Sequence, residues 1–147
     1  MANEFLNHLK KEHREVQDIL EQLESGEENK EELFMKLRKE LLPHLKAEEK
    51  VFYAALLAKE GAREDTLESY EEHHVTEKLF RELEKMDPSD ERWSAKVKVL
   101  KELINHHIKE EESNLFKVAR KELEKDEFPA IMEKFEEQSE KVRDSLS

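Results

Sequence analysis

The chain has 147 residues, a formal charge of -12, and 44% charged against 36% hydrophobic residues. It contains no cysteine, which excludes disulfides, thiolate nucleophiles, iron–sulfur clusters and cysteine-bound zinc. The negative balance with no basic patch speaks against nucleic acid as a partner, and no apolar run reaches the length of a membrane span. The N-terminal stretch lacks the apolar core of a signal peptide, so a cytoplasmic protein is expected.

With only 2 Gly and 3 Pro, and so much Glu, Lys and Leu, the composition says helix throughout. The length suits one domain over residues 1–147. The first predicted helix covers about 3–24, with Asn3 as its N-cap, Ser25-Gly26 as its stop, and a stripe of Phe5, Leu6, Leu9, Val16, Ile19, Leu20 and Leu23. The second covers about 29–60, striped by Leu33, Leu37, Leu41, Phe52, Ala55 and Leu56, and closes at Gly61. Pro43 lies inside it and is expected to bend it just before His44.

A third helix is predicted from Asp65, as N-cap, to about residue 86. The turn Asp87-Pro88-Ser89-Asp90 leads into a long fourth helix over about 90–125, with Trp93, Val97, Leu100, Ile104, Ile108, Leu115 and Val118 on one side. A short fifth helix, about 129–146, begins with Pro129 at its first position and is expected to lie over the end of the others. The predicted fold is all-α: an up-down-up-down four-helix bundle with a short C-terminal fifth helix.

The sequence repeats. Glu12-His13 with its following Ile19, Leu20 and Leu23 matches Glu72-His73 with Leu79, Phe80 and Leu83, sixty residues on. HLKAEEKVFY from His44 matches HIKEEESNLF from His107, at an offset of sixty-three. The first two helices are thus repeated as the third and fourth, and the four together imply a pseudo-twofold axis.

Histidine with glutamate four residues on means little in so acidic a chain, because five of the seven histidines have one. Helical phase says more. At about 100° per residue, Glu48 and Glu111 fall near the centres of their apolar stripes, with His44 and His107 beside them. A carboxylate in the middle of a core face is costly unless it is paired or binds a cation. Phase and the repeat together select His13 and His73 from the other two helices. The candidate metal ligands are therefore His13, His44, Glu48, His73, His107 and Glu111. His8, His74 and His106 read as surface or boundary histidines.

Four imidazoles and two carboxylates are too many donors for one tetrahedral zinc and suit two neighbouring ions. Imidazole serves iron, zinc, copper or nickel, and carboxylate favours iron or manganese. The Glu-x-x-His pairs of ferritin-like proteins are missing except for Glu71 to His74. No phosphate loop or nucleophile elbow is present.

Taken together, Glu12-His13, His44-x-x-x-Glu48-Glu49 with Phe52-Tyr53, Glu72-His73, and His107-x-x-x-Glu111-Glu112 with Leu115-Phe116 resemble the hemerythrin-like, or HHE cation-binding, domains over essentially the whole chain. The resemblance implies a four-helix bundle around a non-haem di-iron centre, an oxo- or hydroxo-bridged pair held by the same six residues, with other divalent metals also suiting the donors. Oxygen-carrying members have a further histidine one turn after the helix-three ligand, where this chain has Glu77, and an aspartate where it has Glu112. The four-His, two-Glu set is closer to the branch linked to iron–sulfur repair and nitric oxide, although no cysteine-bearing segment is present.

The resulting expectation is a di-iron protein that binds or senses dioxygen or a related small molecule. The alternatives are a di-iron enzyme acting on peroxide or nitric oxide, an iron donor or buffer, and a bundle without metal. Dioxygen, nitric oxide or peroxide would be the small-molecule partners.

Overall fold

A computed structural model describes residues 3–26 and 29–146; the parts of the predicted 1–147 unit at 1, 2, 27, 28 and 147 lie outside the described residues. The described chain is helical apart from short turns between the helices. The helix α1 spans Glu4–Glu24, and α2 spans Lys30–Ala47. The latter runs on through a π-helical turn, Glu48–Tyr53, into α3, Ala54–Leu57. A 3-10 turn at Glu60–Ala62 leads into α4, Arg63–Glu84. Then come α5, Glu91–Glu110, a second π turn, Glu111–Leu115, and α6, Phe116–Glu122. The chain ends in α7, Glu127–Ser145.

Local chemistry sets most of these limits. Asn3 Oδ1 accepts the Leu6 amide at 3.0 Å and caps α1. Gly26, at φ 77°, takes the left-handed conformation that ends the helix. Asp90 accepts the Arg92 amide at 2.9 Å and caps α5. Asp65 does not cap α4. That helix starts at Arg63 after Ala62, with no side-chain cap, and Asp65 instead places its charge in the first turn, where the helix dipole favours it. Gly61 sits inside the 3-10 turn rather than closing a helix. Pro129 is the third residue of α7, not the first, because the helix begins at Glu127.

The apolar side chains form two clusters. One gathers Val16, Ile19, Leu20 and Leu23 with Leu37, Leu41, Leu45, Phe80, Trp93, Leu100, Ile104 and Ile108. Its aromatic centre stacks Phe34 on Phe80 at 4.8 Å, with Trp93 edge-on at 5.9 Å. The other gathers Phe5, Leu6 and Leu9 with Phe52, Tyr53, Leu56, Leu115, Phe116, Ala119, Ile131 and Phe135. Along α1 the order is second cluster, His13, first cluster. Along α5 and its continuation it is first cluster, then His107 and Glu111, then second cluster. A polar layer is thus clamped between two apolar ones.

The helix α7 does not sit over the end of the others. It packs along α2, against α1 and the first π turn. Phe135 meets Phe5 at 5.4 Å in the second cluster, and Leu146 reaches the first. This explains why Leu41, Leu42, Pro43, His44 and Leu45 are buried in succession: α2 is covered on two sides, and a single stripe cannot describe it.

Candidate metal centre

His13, His44, Glu48, His73, His107 and Glu111 meet in the polar layer, and all six are buried, Glu48 to 0% exposure and Glu111 to 1%. His13, His44, Glu48 and Glu111 each present a donor atom within 4.8 Å of the others'. Glu48, His73, His107 and Glu111 do the same. The two groups share both carboxylates. Glu48 Oε1 lies 3.2 Å from Nε2 of both His44 and His73. Glu111 turns Oε1 to His13 Nε2 at 3.2 Å and Oε2 to His107 Nε2 at 3.1 Å.

Each imidazole is aimed by a second carboxylate. Glu12 Oε1 accepts from His44 Nδ1 at 2.7 Å, and its repeat mate Glu72 Oε1 accepts from His107 Nδ1 at 2.7 Å. Glu112 Oε2 accepts from His13 Nδ1 at 2.6 Å, and its mate Glu49 Oε2 from His73 Nδ1 at 3.0 Å. With Nδ1–H committed outward, every Nε2 is left facing the centre, the arrangement that orients a histidine for a metal. These four outer glutamates are visible in the sequence as the repeated doublets Glu-His and Glu-Glu, but the histidine each one serves lies on another helix. His8 and His106, read as boundary or surface residues, touch the outer carboxylates Glu12 at 3.2 Å and Glu72 at 3.6 Å. Glu77 does not join the cluster; it pairs with Lys46 at 2.7 Å. Glu71 and His74 are exposed.

The donor set calls for a cation. His73 Nε2 and His107 Nε2 face each other at 3.0 Å, which two lone pairs tolerate only with a proton or a metal between them. His13 Nε2, Glu48 Oε2 and Glu111 Oε1 are buried without a hydrogen-bond partner. Without metal, protons fill this role. Burial works against a charge on His107, but its hydrogen bonds to Glu111 and Glu72 prevail and push it up to about 10. Burial, with the neighbouring Glu111 charge, pushes Glu48 up to about 8. Glu111 carries the charge of the pair. Burial opposes this, but its close contacts with Glu48, His107 and His13 hold it well below the usual carboxylate range. Glu12, also against its burial, is held down to about 2 by His44 and His8. The residues present therefore fit a cationic group.

The π turns begin at Glu48 and Glu111, the two shared carboxylates. In an α-helix a residue five positions on is turned away by about 140°, at about 100° per residue. A π turn closes its hydrogen bonds at five residues and brings that residue back onto the same face. Tyr53 is thereby placed over Glu48, and its hydroxyl enters the cluster 3.5 Å from Glu48 Oε1 and 2.5 Å from Glu111 Oε2. A wheel of constant α-helical pitch leaves Tyr53 out. Burial and the charges of Glu111 and Glu48 push its phenol well above the usual tyrosine value.

Beside the four imidazoles is a cavity of about 20 Å³, walled by Val16, Leu41, Leu45, Thr76, Ile104 and Ile108. That is the room of about one water-sized molecule.

Residues 4–119 match the family described as the hemerythrin HHE cation binding domain. A DNA nickase of Nostoc sp. (strain PCC 7120) is 25% identical over 140 residues, 94% of this chain and 40% of that protein. The chain therefore spans well under half of this relative. No solved structure matches. No helix of the described residues is long and apolar enough to cross a membrane.

Proposed function

The chain belongs to the hemerythrin HHE cation-binding domain family, and on that premise we propose that it is a non-haem di-iron protein that binds or senses dioxygen or a molecule of similar size. The observation that carries the reading is the pair of overlapping four-donor groups sharing Glu48 and Glu111. His13 and His44 would hold one ion, His73 and His107 the other, and the two glutamates would serve both. Two imidazoles per ion with shared carboxylates leave the centre room for a small ligand, and mixed nitrogen and oxygen donors suit iron. Bound iron would supply reversible electron transfer and a site for a small ligand.

The protein's own residues do the rest. Glu12, Glu49, Glu72 and Glu112 fix the imidazole orientation, and the apolar wall of Val16, Leu41, Leu45, Ile104 and Ile108 limits the ligand's size. The same reading takes α1, α2, α4 and α5 as an up-down-up-down bundle within a single unit, in a cytoplasmic protein. The packing of α1 on α2, α4 on α5 and α1 on α5 supports that course.

Nicking of DNA, the activity in the relative's name, is not the activity we propose for this chain. A phosphodiester has no entry to donors this deeply buried, and a charge of -12 repels it.

Elemental analysis of protein produced in iron-rich medium is the test, followed by visible spectra in air, under vacuum and after reduction. Two iron ions per chain and a spectrum that reverses on removing oxygen are expected. Far fewer than two ions refutes the centre. Two ions with irreversible oxidation, and turnover of peroxide or nitric oxide that His107→Ala abolishes, would move the chain to the enzyme reading.

A further inference from the structure

We propose that the hydroxyl of Tyr53 is a seventh ligand of the centre, bound to the ion that His73 and His107 hold, and that exchange of small ligands is thereby confined to the ion of His13 and His44. This rests on the two-ion reading above.

The hydroxyl lies 3.1 Å from His73 Nε2 and 3.2 Å from His107 Nε2. It lies 2.5 Å from Glu111 Oε2 and 3.5 Å from Glu48 Oε1. It is thus close to all four donors of one group. A tyrosine buried only for packing needs one acceptor for its proton. Two ligand atoms at right angles on an ion with bonds of about 2.1 Å lie about 3 Å apart, which is the spacing the Tyr53 hydroxyl keeps from the two imidazoles. The π turn at Glu48 is what holds the oxygen there. On ligation the proton now shared with Glu111 leaves to solvent, and the oxygen lone pair forms the bond to the ion.

The repeat makes the assignment directional. Every inward ligand has a mate in the other half, and so does every outer carboxylate. Tyr53 has none: its counterpart is Phe116. The Phe116 ring lies nearly parallel to His13, with centroids 6.3 Å apart and planes at 16°, and offers no donor. Of the cluster's three buried atoms without a hydrogen-bond partner, His13 Nε2 and Glu111 Oε1 belong to that tyrosine-free side. One ion would then have five protein donors and the other four.

The chain has two tyrosines, Tyr53 and Tyr70, which makes the test complete. Tyr70 donates to the Glu49 carbonyl at 2.7 Å and serves as the control. The iron-loaded, oxidised wild type should show a visible phenolate-to-iron absorption with resonance-enhanced tyrosinate vibrations. Tyr53→Phe should keep its iron and lose both signals; Tyr70→Phe should keep both. Tyr53→Phe combined with Phe116→Tyr should regain a tyrosinate signal from the opposite ion. Wild-type protein with two irons and no tyrosinate vibration overturns the ligand and leaves the di-iron reading standing. Loss of the signal in Tyr70→Phe also overturns it. Wild type without two irons overturns both. The wild-type measurement requires no variant, so a misfolded mutant cannot decide the outcome.

Discussion

The two halves of the repeat build the same donor set on unequal scaffolds. His44 and His107, Glu48 and Glu111, Glu12 and Glu72 occupy matching places at matching distances, 2.7 Å for both outer contacts. The support around them does not repeat. The helix α7 covers α1 and α2, and nothing comparable among the described residues covers α4 and α5. Among the described residues, the exposed large apolar side chains Leu67, Val75 and Val99 lie on α4 and α5, and Met35 on α2. Capping is uneven too: Asn3 caps α1, while its counterpart α4 has no side-chain cap. The inner positions repeat because each must meet the same pair of carboxylates. Positions further out answer only to what happens to pack on them.

The largest effect should come from the unmatched cover. Phe135→Ala removes a fully buried ring that packs on Phe5 at 5.4 Å and faces His44 at 6.1 Å. A loss of about 3–5 kcal/mol is expected in denaturant unfolding, against less than about 0.5 kcal/mol for Val99→Ala on the uncovered half. Equal losses would mean that α7 adds no stability of its own. Stripping the metal comes next. Buried Glu48, Glu111 and His13 would lose the cation that satisfies them, and holoprotein with free metal at a thousandfold excess over Kd gains about 4 kcal/mol by linkage. Scanning calorimetry of apo and loaded protein should show a clear drop in melting temperature; identical melting would contradict a buried metal site.

The sequence carried the helices and the inward set because both follow from one period. Glu48 and Glu111 stand out only when placed on an apolar stripe, and the structure buries both. What escaped has physical causes. The π turns change the pitch just where the shared carboxylates sit, so Tyr53, five residues after Glu48, is misplaced on any uniform wheel. The outer glutamates appear as doublets, but packing decides that Glu12 serves His44 and not its neighbour His13. The course of α7 along α2 depends on tertiary contact. A modest edge of Ile131 and Phe135 could not fix where that helix lands. Asp65 is a residue type that suits an N-cap, yet α4 begins two residues earlier, straight from a 3-10 turn.

The outer carboxylates give a finer comparison, because there the halves should behave alike. Glu12→Gln and Glu72→Gln each weaken the Nδ1 hydrogen bond that orients a metal-facing imidazole. Each should lower metal affinity by about 10–100-fold, and by similar factors. A chelator competition assay measures this directly. The Glu49 and Glu112 pair should differ more. Arg14 holds Glu112 at 2.6 Å, whereas the matching place near Glu49 is the exposed His74. Arg14→Ala should therefore loosen Glu112 and lower affinity a few-fold, while His74→Ala leaves affinity unchanged. If His74→Ala has the larger effect, the two outer shells are not related as their distances indicate.

The smallest effect tests the scaffold at its first residue. Asn3 Oδ1 accepts the Leu6 amide at 3.0 Å, and Asn3 O accepts the Asn7 amide at 3.0 Å, so this residue satisfies two donors of the first turn. Asn3→Ala keeps the backbone contact and loses the side-chain one. It should cost about 1 kcal/mol of stability, while Asn3→Ser, which retains an acceptor, should cost almost none. Neither should change metal affinity at saturating metal, because Asn3 lies beyond Phe5, Leu6 and Leu9, and that apolar layer separates it from His13. A change in affinity on losing the cap would show that fraying of α1 reaches the metal centre. The covered half would then be coupled to its ligands more tightly than two separately packed layers allow.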